Sequence, residues 1–226
     1  MNGSLVNFAA IVLGALVGLL LRMGISEKAK ETVLHAMGLV VLFVGFKMAL
    51  ASQNTLTVVV ALAAGAVIGE MLDLQGKLDT FGVWLTKTVG SRYGDAGRGF
   101  VMATLVFCIG AMAIVGSIEE GLRGDASILY AKSMIDGVCA AVFAASMGIG
   151  VMLSAVPVLL YQGAMTLAAG SLESIVNPAM LAEISGTGGL LIIGIGLNML
   201  NLTKIKLANM LPALFAAAVI AYWQIF

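Results

Sequence analysis

Ionisable side chains interrupt an otherwise apolar stretch near the middle of the chain. Lys132 and Asp136 are four residues apart, so in a helix they share one face and can pair. Glu119 precedes them, at the end of the neighbouring apolar stretch. A charged side chain at the bilayer centre costs about 2.5–3.5 kcal/mol on insertion scales, so these residues are candidates for cation binding or proton exchange. The alternative is a structural ion pair that locks two helices together.

Weaker candidates lie where glycine and proline interrupt an apolar run, and at the end of a predicted helix. Gly148, Gly150 and Pro157 interrupt the apolar run between residues 146 and 162. The interruption is typical of a tight turn, or of a broken helix whose freed backbone groups line a cavity. Asn198 lies near a helix end, where Asn is usually a cap. With Glu120 interpreted as a solvated end residue, the further polar candidates are Tyr130, Ser154, Tyr161, Gln162 and Asn198.

The composition is that of a polytopic helical membrane protein. Of the 226 residues, 61% are hydrophobic and 11% are charged, and the mean hydropathy is +1.07. Soluble domains carry about 25% charged residues. The 28 Gly with only 3 Pro are typical of closely packed membrane helices.

Residue counts exclude several chemistries. The 12 Lys and Arg balance the 12 Asp and Glu, so the basic surface of a nucleic-acid-binding protein is missing. His35 is the only histidine, so neither a histidine metal cluster nor a Ser-His-Asp triad can form. Cys108 and Cys139 lie in separate apolar runs, without the spacing of a metal site. We therefore expect no metal and no cofactor.

Eight apolar stretches are long enough, or nearly so, to cross a hydrocarbon core, which takes roughly 20 helical residues. They are continuous and do not alternate with polar residues, so they predict an all-α helical bundle and not a β-barrel. This bundle forms a single transmembrane domain over residues 1–226. The predicted spans are 4–22, 32–50, 55–72, 99–118, 128–147, 149–170, 187–203 and 207–225.

Basic residues collect in alternate loops. Nine of them follow predicted spans 1, 3 and 7, whereas the loops 51–54, 119–127 and 171–186 together hold only Arg123. Since cytoplasmic loops are enriched in Lys and Arg, both termini are expected on the non-cytoplasmic side. The nine are Arg22, Lys28, Lys30, Lys77, Lys87, Arg92, Arg98, Lys204 and Lys206.

The polar segment at about 73–92 predicts a helix that lies in the membrane interface. Leu74, Leu78 and Phe81 recur at helical spacing, as do Leu85 and Val89, and the charged residues lie largely on other faces. A short solvated helix packed on its own protein is the alternative.

Two short similarities favour an inverted repeat. Leu62–Gly65 in span 3 recurs as Leu167–Gly170 in span 6, and Leu21-Arg22 resembles Leu122-Arg123. Three spans per unit would place units 1–72 and 99–170 in opposite orientations, as in many secondary transporters, with 187–225 as an addition. The alternative is chance, because Leu, Ala and Gly are abundant in this chain.

Three long motifs closely resemble a bacterial inner-membrane family of unknown function typified by YqgA and YdfK. They are Phe107–Gly137, Gly148–Gly163 and Gly188–Leu214. The opening Met1-Asn2-Gly3 fits too, so the resemblance covers essentially the whole chain. It implies an inner-membrane location and a loosely described transport role, and it supplies no catalytic or binding residues.

These features favour a small transporter or channel for an ion or small solute. The acidic residues favour a cation or a proton-coupled substrate, and any driving force would be an ion gradient, because the nucleotide-binding motif GxxxxGK[ST] is absent. The alternatives are a partner or regulatory subunit without flux and an integral-membrane enzyme. We expect membrane lipid and a small ion or solute as partners, and the Gly-rich helix faces are compatible with a homodimer.

Overall fold

A computed structural model describes residues 1–22, 24, 26–89, 96–223 and 225. All regular elements in these ranges are helices. They are α1 Asn2–Arg22, α2 Glu27–Ala49, α3 Thr55–Met71, α4 Leu74–Val89, α5 Ala96–Cys108, α6 Ala111–Arg123, α7 Ser127–Met147, α8 Gly150–Leu153, α9 Ala155–Leu167, α10 Ala169–Leu172, α11 Pro178–Met199, a 3-10 turn Leu207–Met210 and α12 Pro212–Trp223. The all-α fold predicted from the sequence is confirmed.

Within the described residues, five helices are long and apolar enough to cross a membrane. They are α1, α2 from Lys28 onward, α7, the continuous run Gly150–Leu167 formed by α8 and α9, and α11. Two bent helix pairs, α3 with α4 and α5 with α6, raise the number to as many as seven if each pair counts as one span. The eighth predicted span, 207–225, corresponds to a shorter apolar helix, Leu207–Trp223.

Two segments differ from those predicted, and a third agrees over the residues that are described. The stretch 99–118 is not one straight helix, because α5 and α6 meet at 61° around Gly110. The segment 171–186 is partly helical, because Asn177 caps the N-terminus of α11 and Pro178 occupies its first turn. A helix does form at 74–89, bent by 59° from α3, and positions 90–92 of the predicted interfacial segment lie outside the described residues. Its placement in the interface stays a prediction.

The chain forms two compact units, each assembled from separate stretches. Unit 1 contains Met1–Met37, Thr80–Cys108 and Met112–Leu172, and unit 2 contains Gly38–Asp79, Ile109–Ala111 and Glu173–Phe226. Each unit therefore has a core of its own, made by helices that are distant in sequence.

In unit 1, α1 packs closely against α7 through glycine. A Cβ at Gly14 would overlap the Gly137 carbonyl oxygen, and one at Gly18 would overlap that of Ala141. Nearer the start of both helices, Gly3 faces Leu129. Residue numbers rise together along the contact, so α1 and α7 run parallel. This is the close approach of backbones that small residues allow in membrane helices.

In unit 2, glycine faces serve the same purpose. Gly65 and Gly69 of α3 face Ala213 and Asn209 so closely that neither position has room for a side chain. Gly189 of α11 faces the backbone of α2 at Ala49 in the same way. In unit 2 as in unit 1, these glycine faces therefore pack within the chain.

The Gly- and Pro-containing segment between α7 and α9 is a tight turn. Gly148 ends α7 with φ +89, a left-handed conformation that glycine adopts most readily. Beyond it, Gly150–Leu167 continues as one helix in which Pro157 lies near the N-terminal end of α9. The break that interrupts a helix in unit 1 instead follows Cys108, at the end of α5.

Gly14→Ala is expected to destabilise the protein by about 1–3 kcal/mol, because the added methyl group must push α1 away from α7. Gly170→Ala is the matched control, since a Cβ there meets nothing within 4 Å. Thermal unfolding in detergent compares the two variants. Equal stability of both would contradict the close packing of α1 on α7.

Candidate functional site

A buried polar cluster joins three helices of unit 1. Asn7 Nδ2 donates to Asp136 Oδ2 at 3.0 Å and to Gln162 Oε1 at 3.2 Å. Lys132 forms an ion pair with the same oxygen of Asp136. Exposure is 0% for Asn7 and Gln162, and 6% for Lys132 and Asp136. We call these four residues the central cluster.

The central cluster lies well inside the apolar helices. Asp136 is nine residues beyond the first residue of α7, roughly 14 Å along the axis at 1.5 Å per residue. Two ionised groups taken out of water cost several kcal/mol each, and their mutual attraction repays this only with good geometry and further hydrogen bonds. Asn7 supplies such a hydrogen bond to the Asp136 carboxylate. Helix α1 therefore adds a third polar partner to an ion pair whose two residues both lie on α7.

Helix register explains why these side chains meet. Lys132 and Asp136 are one turn apart on the buried face of α7. The parallel contact of α1 with α7 brings Asn7 to the level of that pair. Helix α9 presents Gln162 to Asn7 from the other side. The cluster therefore depends on the glycine contacts described above.

A second group of polar atoms lies towards the N-terminal end of α1. Glu120 Oε1 accepts the Gly3 N–H at 2.7 Å and lies 3.2 Å from the Met1 nitrogen, whereas Glu120 Oε2 has no partner. The hydroxyls of Ser4, Ser117 and Thr166 are also buried without a partner. The side chains of these residues are 0–7% exposed. Glu120, expected to be a solvated end residue, is therefore buried.

The other predicted candidates lie apart from the central cluster. Glu119 is about one-third exposed and pairs with Arg123 one turn later, and Tyr130 is 44% exposed. Ser154 is buried, but its hydroxyl donates to the Val151 carbonyl at 2.6 Å. Tyr161 is part-buried on α9. Of the eight candidates, the structure brings together Lys132, Asp136 and Gln162.

Asn198 belongs to unit 2, where it holds the chain that follows α11. Its side chain accepts from the Thr203 hydroxyl at 2.7 Å and the Ile205 N–H at 3.0 Å, and donates to the Ile205 carbonyl at 2.9 Å. These bonds fix a turn after the helix, which agrees with the capping interpretation of this residue.

Among the buried polar residues that sequence reasoning missed, Asn7 and Glu183 make side-chain hydrogen bonds to other helices or loops. Asn7 shares a face of α1 with Ser4, and this spacing in a strongly apolar helix is the signal that could have found it. Glu183 was assigned to a loop, but it is 4% exposed on α11. It accepts from the Ser52 hydroxyl at 2.6 Å and from the Gln53 and Asn54 N–H groups at 2.8 and 3.0 Å. Its carboxylate thus holds the start of α3.

The described residues contain few groups of side chains that are suited to binding a transition metal. Within the ranges that the structure describes, no group of three or more His, Cys, Asp and Glu side chains is arranged to hold a metal ion. The buried polar atoms near Glu120 are instead oxygens of one carboxylate and several hydroxyls. Oxygen ligands of this kind suit hard cations or water.

Comparison with known proteins gives the family. Residues 2–222 match the family described as "Protein of unknown function (DUF554)". The chain belongs to this family. It is 32% identical over 220 residues to the uncharacterized protein YqgA of Escherichia coli (strain K12), with 95% of this chain and 94% of that protein covered.

A second relative supports the membrane assignment. The chain is 29% identical over 226 residues to the uncharacterized membrane protein YdfK of Bacillus subtilis (strain 168), with 98% of this chain and 96% of that protein covered. No solved structure matches. The resemblance identified from the sequence motifs is therefore confirmed, and the chain is a helical membrane protein.

Lys132→Met is expected to destabilise the protein by about 3–5 kcal/mol, because it leaves the buried Asp136 carboxylate without its cation. The double variant Lys132→Met with Asp136→Leu removes both charges and should recover most of that loss. Thermal unfolding in detergent measures both. A double variant as unstable as the single one would contradict the burial of this pair.

Proposed function

We propose that the protein is a transporter or channel for a small ion or solute, and that the central cluster is its transport site. The observation that supports this is a hydrogen-bonded Lys–Asp pair, at most 6% exposed, inside helices that cross the membrane. Ionisable groups at such positions are costly and usually mark the route of an ion or a proton.

The hydrogen bonding of the Asp136 carboxylate depends on the relative position of two helices. Asp136 Oδ2 forms an ion pair with Lys132 and accepts a hydrogen bond from Asn7, and these two partners lie on different helices. If α1 moves relative to α7, the carboxylate loses one of its two donors. That loss alters its affinity for a proton or a cation. A cation or a proton-coupled solute is therefore the preferred substrate class.

The bent pair α5 and α6 also supports transport. Its break follows Cys108 at the end of α5, and α5 packs against α7, the helix that carries Lys132 and Asp136. Interrupted helices beside buried charges are the arrangement that many secondary transporters use to bind ions. The predicted inverted repeat belongs to this proposal, as the internal symmetry that such proteins often contain.

We also propose a location in the bacterial inner membrane, with both termini on the non-cytoplasmic side. The basic residues favour this orientation. Because α1 and α7 run parallel, an odd number of crossings must separate them. Helix α2, helix α3 and the bent pair α5 and α6 provide three crossings if α4 lies in the interface.

Purified protein in liposomes should carry ions, and Asp136→Asn should reduce the flux by about tenfold or more, because an amide cannot hold a proton or a full charge. The measurement is the uptake or release of protons and of a panel of cations and anions under an imposed gradient. Glu119→Gln is the matched control, since Glu119 lies at the surface with Arg123.

The double variant Lys132→Met with Asp136→Leu tests whether the two charges serve ion transport or only stabilise the packing of the helices. If it folds and carries no flux, the charges serve transport. If it folds and carries normal flux, the pair is a lock and this site is refuted. Absence of flux for every ion and proton in the wild-type protein would contradict the ion-conducting form of the proposal and favour a non-transporting partner subunit.

A further inference from the structure

Some buried serine and threonine hydroxyls of unit 1 form a hydrogen bond within the protein, whereas others do not. The Ser133 hydroxyl donates to the Leu129 carbonyl at 2.6 Å, and the Ser154 hydroxyl donates to the Val151 carbonyl at 2.6 Å. Ser4, Ser117 and Thr166 make no such bond, although they are equally buried. Their oxygens are therefore available to something that the helices do not supply.

These unsatisfied oxygens lie on three helices that contact one another. Glu120 of α6 accepts a hydrogen bond from the Gly3 N–H of α1, and Asn7 of α1 donates a hydrogen bond to Gln162 of α9. Gly121 of α6 is packed against the Thr166 carbonyl of α9. Each pair among α1, α6 and α9 is thus joined. The unpartnered hydroxyls lie within one turn of these contacts, because Ser4 follows Gly3, Ser117 precedes Gly121 by one turn, and Thr166 itself supplies the carbonyl.

The donor set at this place consists mainly of oxygen. The unpartnered atoms are Ser4 Oγ, Asn7 Oδ1, Ser117 Oγ, Glu120 Oε2 and Thr166 Oγ1, with Gln162 Nε2 as the one nitrogen. Four neutral side-chain oxygens together with one carboxylate oxygen match the needs of a hard cation. A divalent cation would remain half-neutralised in a medium of low dielectric, so one carboxylate favours a monovalent ion.

We propose that Ser4, Ser117, Glu120 and Thr166 form a binding site for an alkali metal cation, adjoining the central cluster through Asn7. This inference rests on the proposed function, since it names an ion for the same polar interior, but binding is measured without flux. Glu120 supplies the charge, the hydroxyls replace water around the ion, and Asn7 links its occupancy to Asp136.

The test measures thermal unfolding in detergent across a series of NaCl, KCl or LiCl concentrations, with choline chloride keeping the ionic strength constant. Binding of radioactive Na⁺ to the same protein gives the stoichiometry. We expect a saturable rise in the unfolding temperature with at least one alkali cation, because an ion that binds only the folded state stabilises it.

Glu120→Gln is expected to abolish this rise. Thr166→Val and Ser117→Ala should each weaken the apparent affinity by about tenfold, the usual effect of losing one bond to a charged group. Ser133→Ala is the matched control and should bind normally, because its hydroxyl already bonds the helix.

Identical unfolding temperatures in all four salts, with no bound Na⁺, would overturn the proposal and leave buried water as the partner of these oxygens. Cation binding that survives Glu120→Gln and Thr166→Val would overturn it as well, because the ion would then bind elsewhere. Cation binding in a protein that carries no flux would uphold the site and contradict the proposed transport function, so the two failures are distinguishable.

Discussion

The close approach of α1 to α7 is the constraint on which the polar interior depends. Gly14 and Gly18 let the two backbones touch over most of their length, with Gly137 and Ala141 on the other side. Without a side chain between them, Asn7 reaches Asp136, and the ion pair of α7 gains its third partner. A hydrophobic driving force between helices is missing in lipid, so such packing and the buried hydrogen bonds must stabilise the assembly. Stability and the proposed function therefore depend on the same contact.

The buried polar atoms of unit 1 are of two kinds: a hydrogen-bonded central cluster around Asp136, and unpartnered oxygens on the helices that meet Glu120. Unit 2 shows what a purely structural buried carboxylate looks like. Glu183 accepts three hydrogen bonds at the start of α3, and among the described residues the buried Thr187 hydroxyl, one turn later on α11, has no partner. Unit 1 differs in that its unpartnered oxygens come from three helices that contact one another.

Much of this fold was predictable from the sequence, because continuous apolar runs determine where membrane helices form. Lys132, Asp136 and Gln162 were found because polar side chains inside such runs are costly. Asn7 could have been found from its spacing with Ser4 in an apolar helix, but its contact with Asp136 and the burial of Glu120 could not, because no spacing within one helix reveals that α1 lies parallel to α7. The bend after Cys108 was likewise missed, because a single Gly between apolar residues also occurs in straight membrane helices.

If the polar interior of unit 1 binds and carries ions as proposed, ions and water must reach it, and the nearest entry to the proposed cation site is the end where Glu120 lies. The most direct measurement is the labelling of Thr166→Cys by a small membrane-impermeant thiol reagent in intact cells, after Cys108 and Cys139 are replaced by Ala. Val158→Cys, on the same face of α9 but fully buried among apolar residues, is the control. The account predicts labelling of position 166 from the non-cytoplasmic side and none at position 158. Equal protection of both positions from either side would contradict it, because the interior would then be a dry structural core.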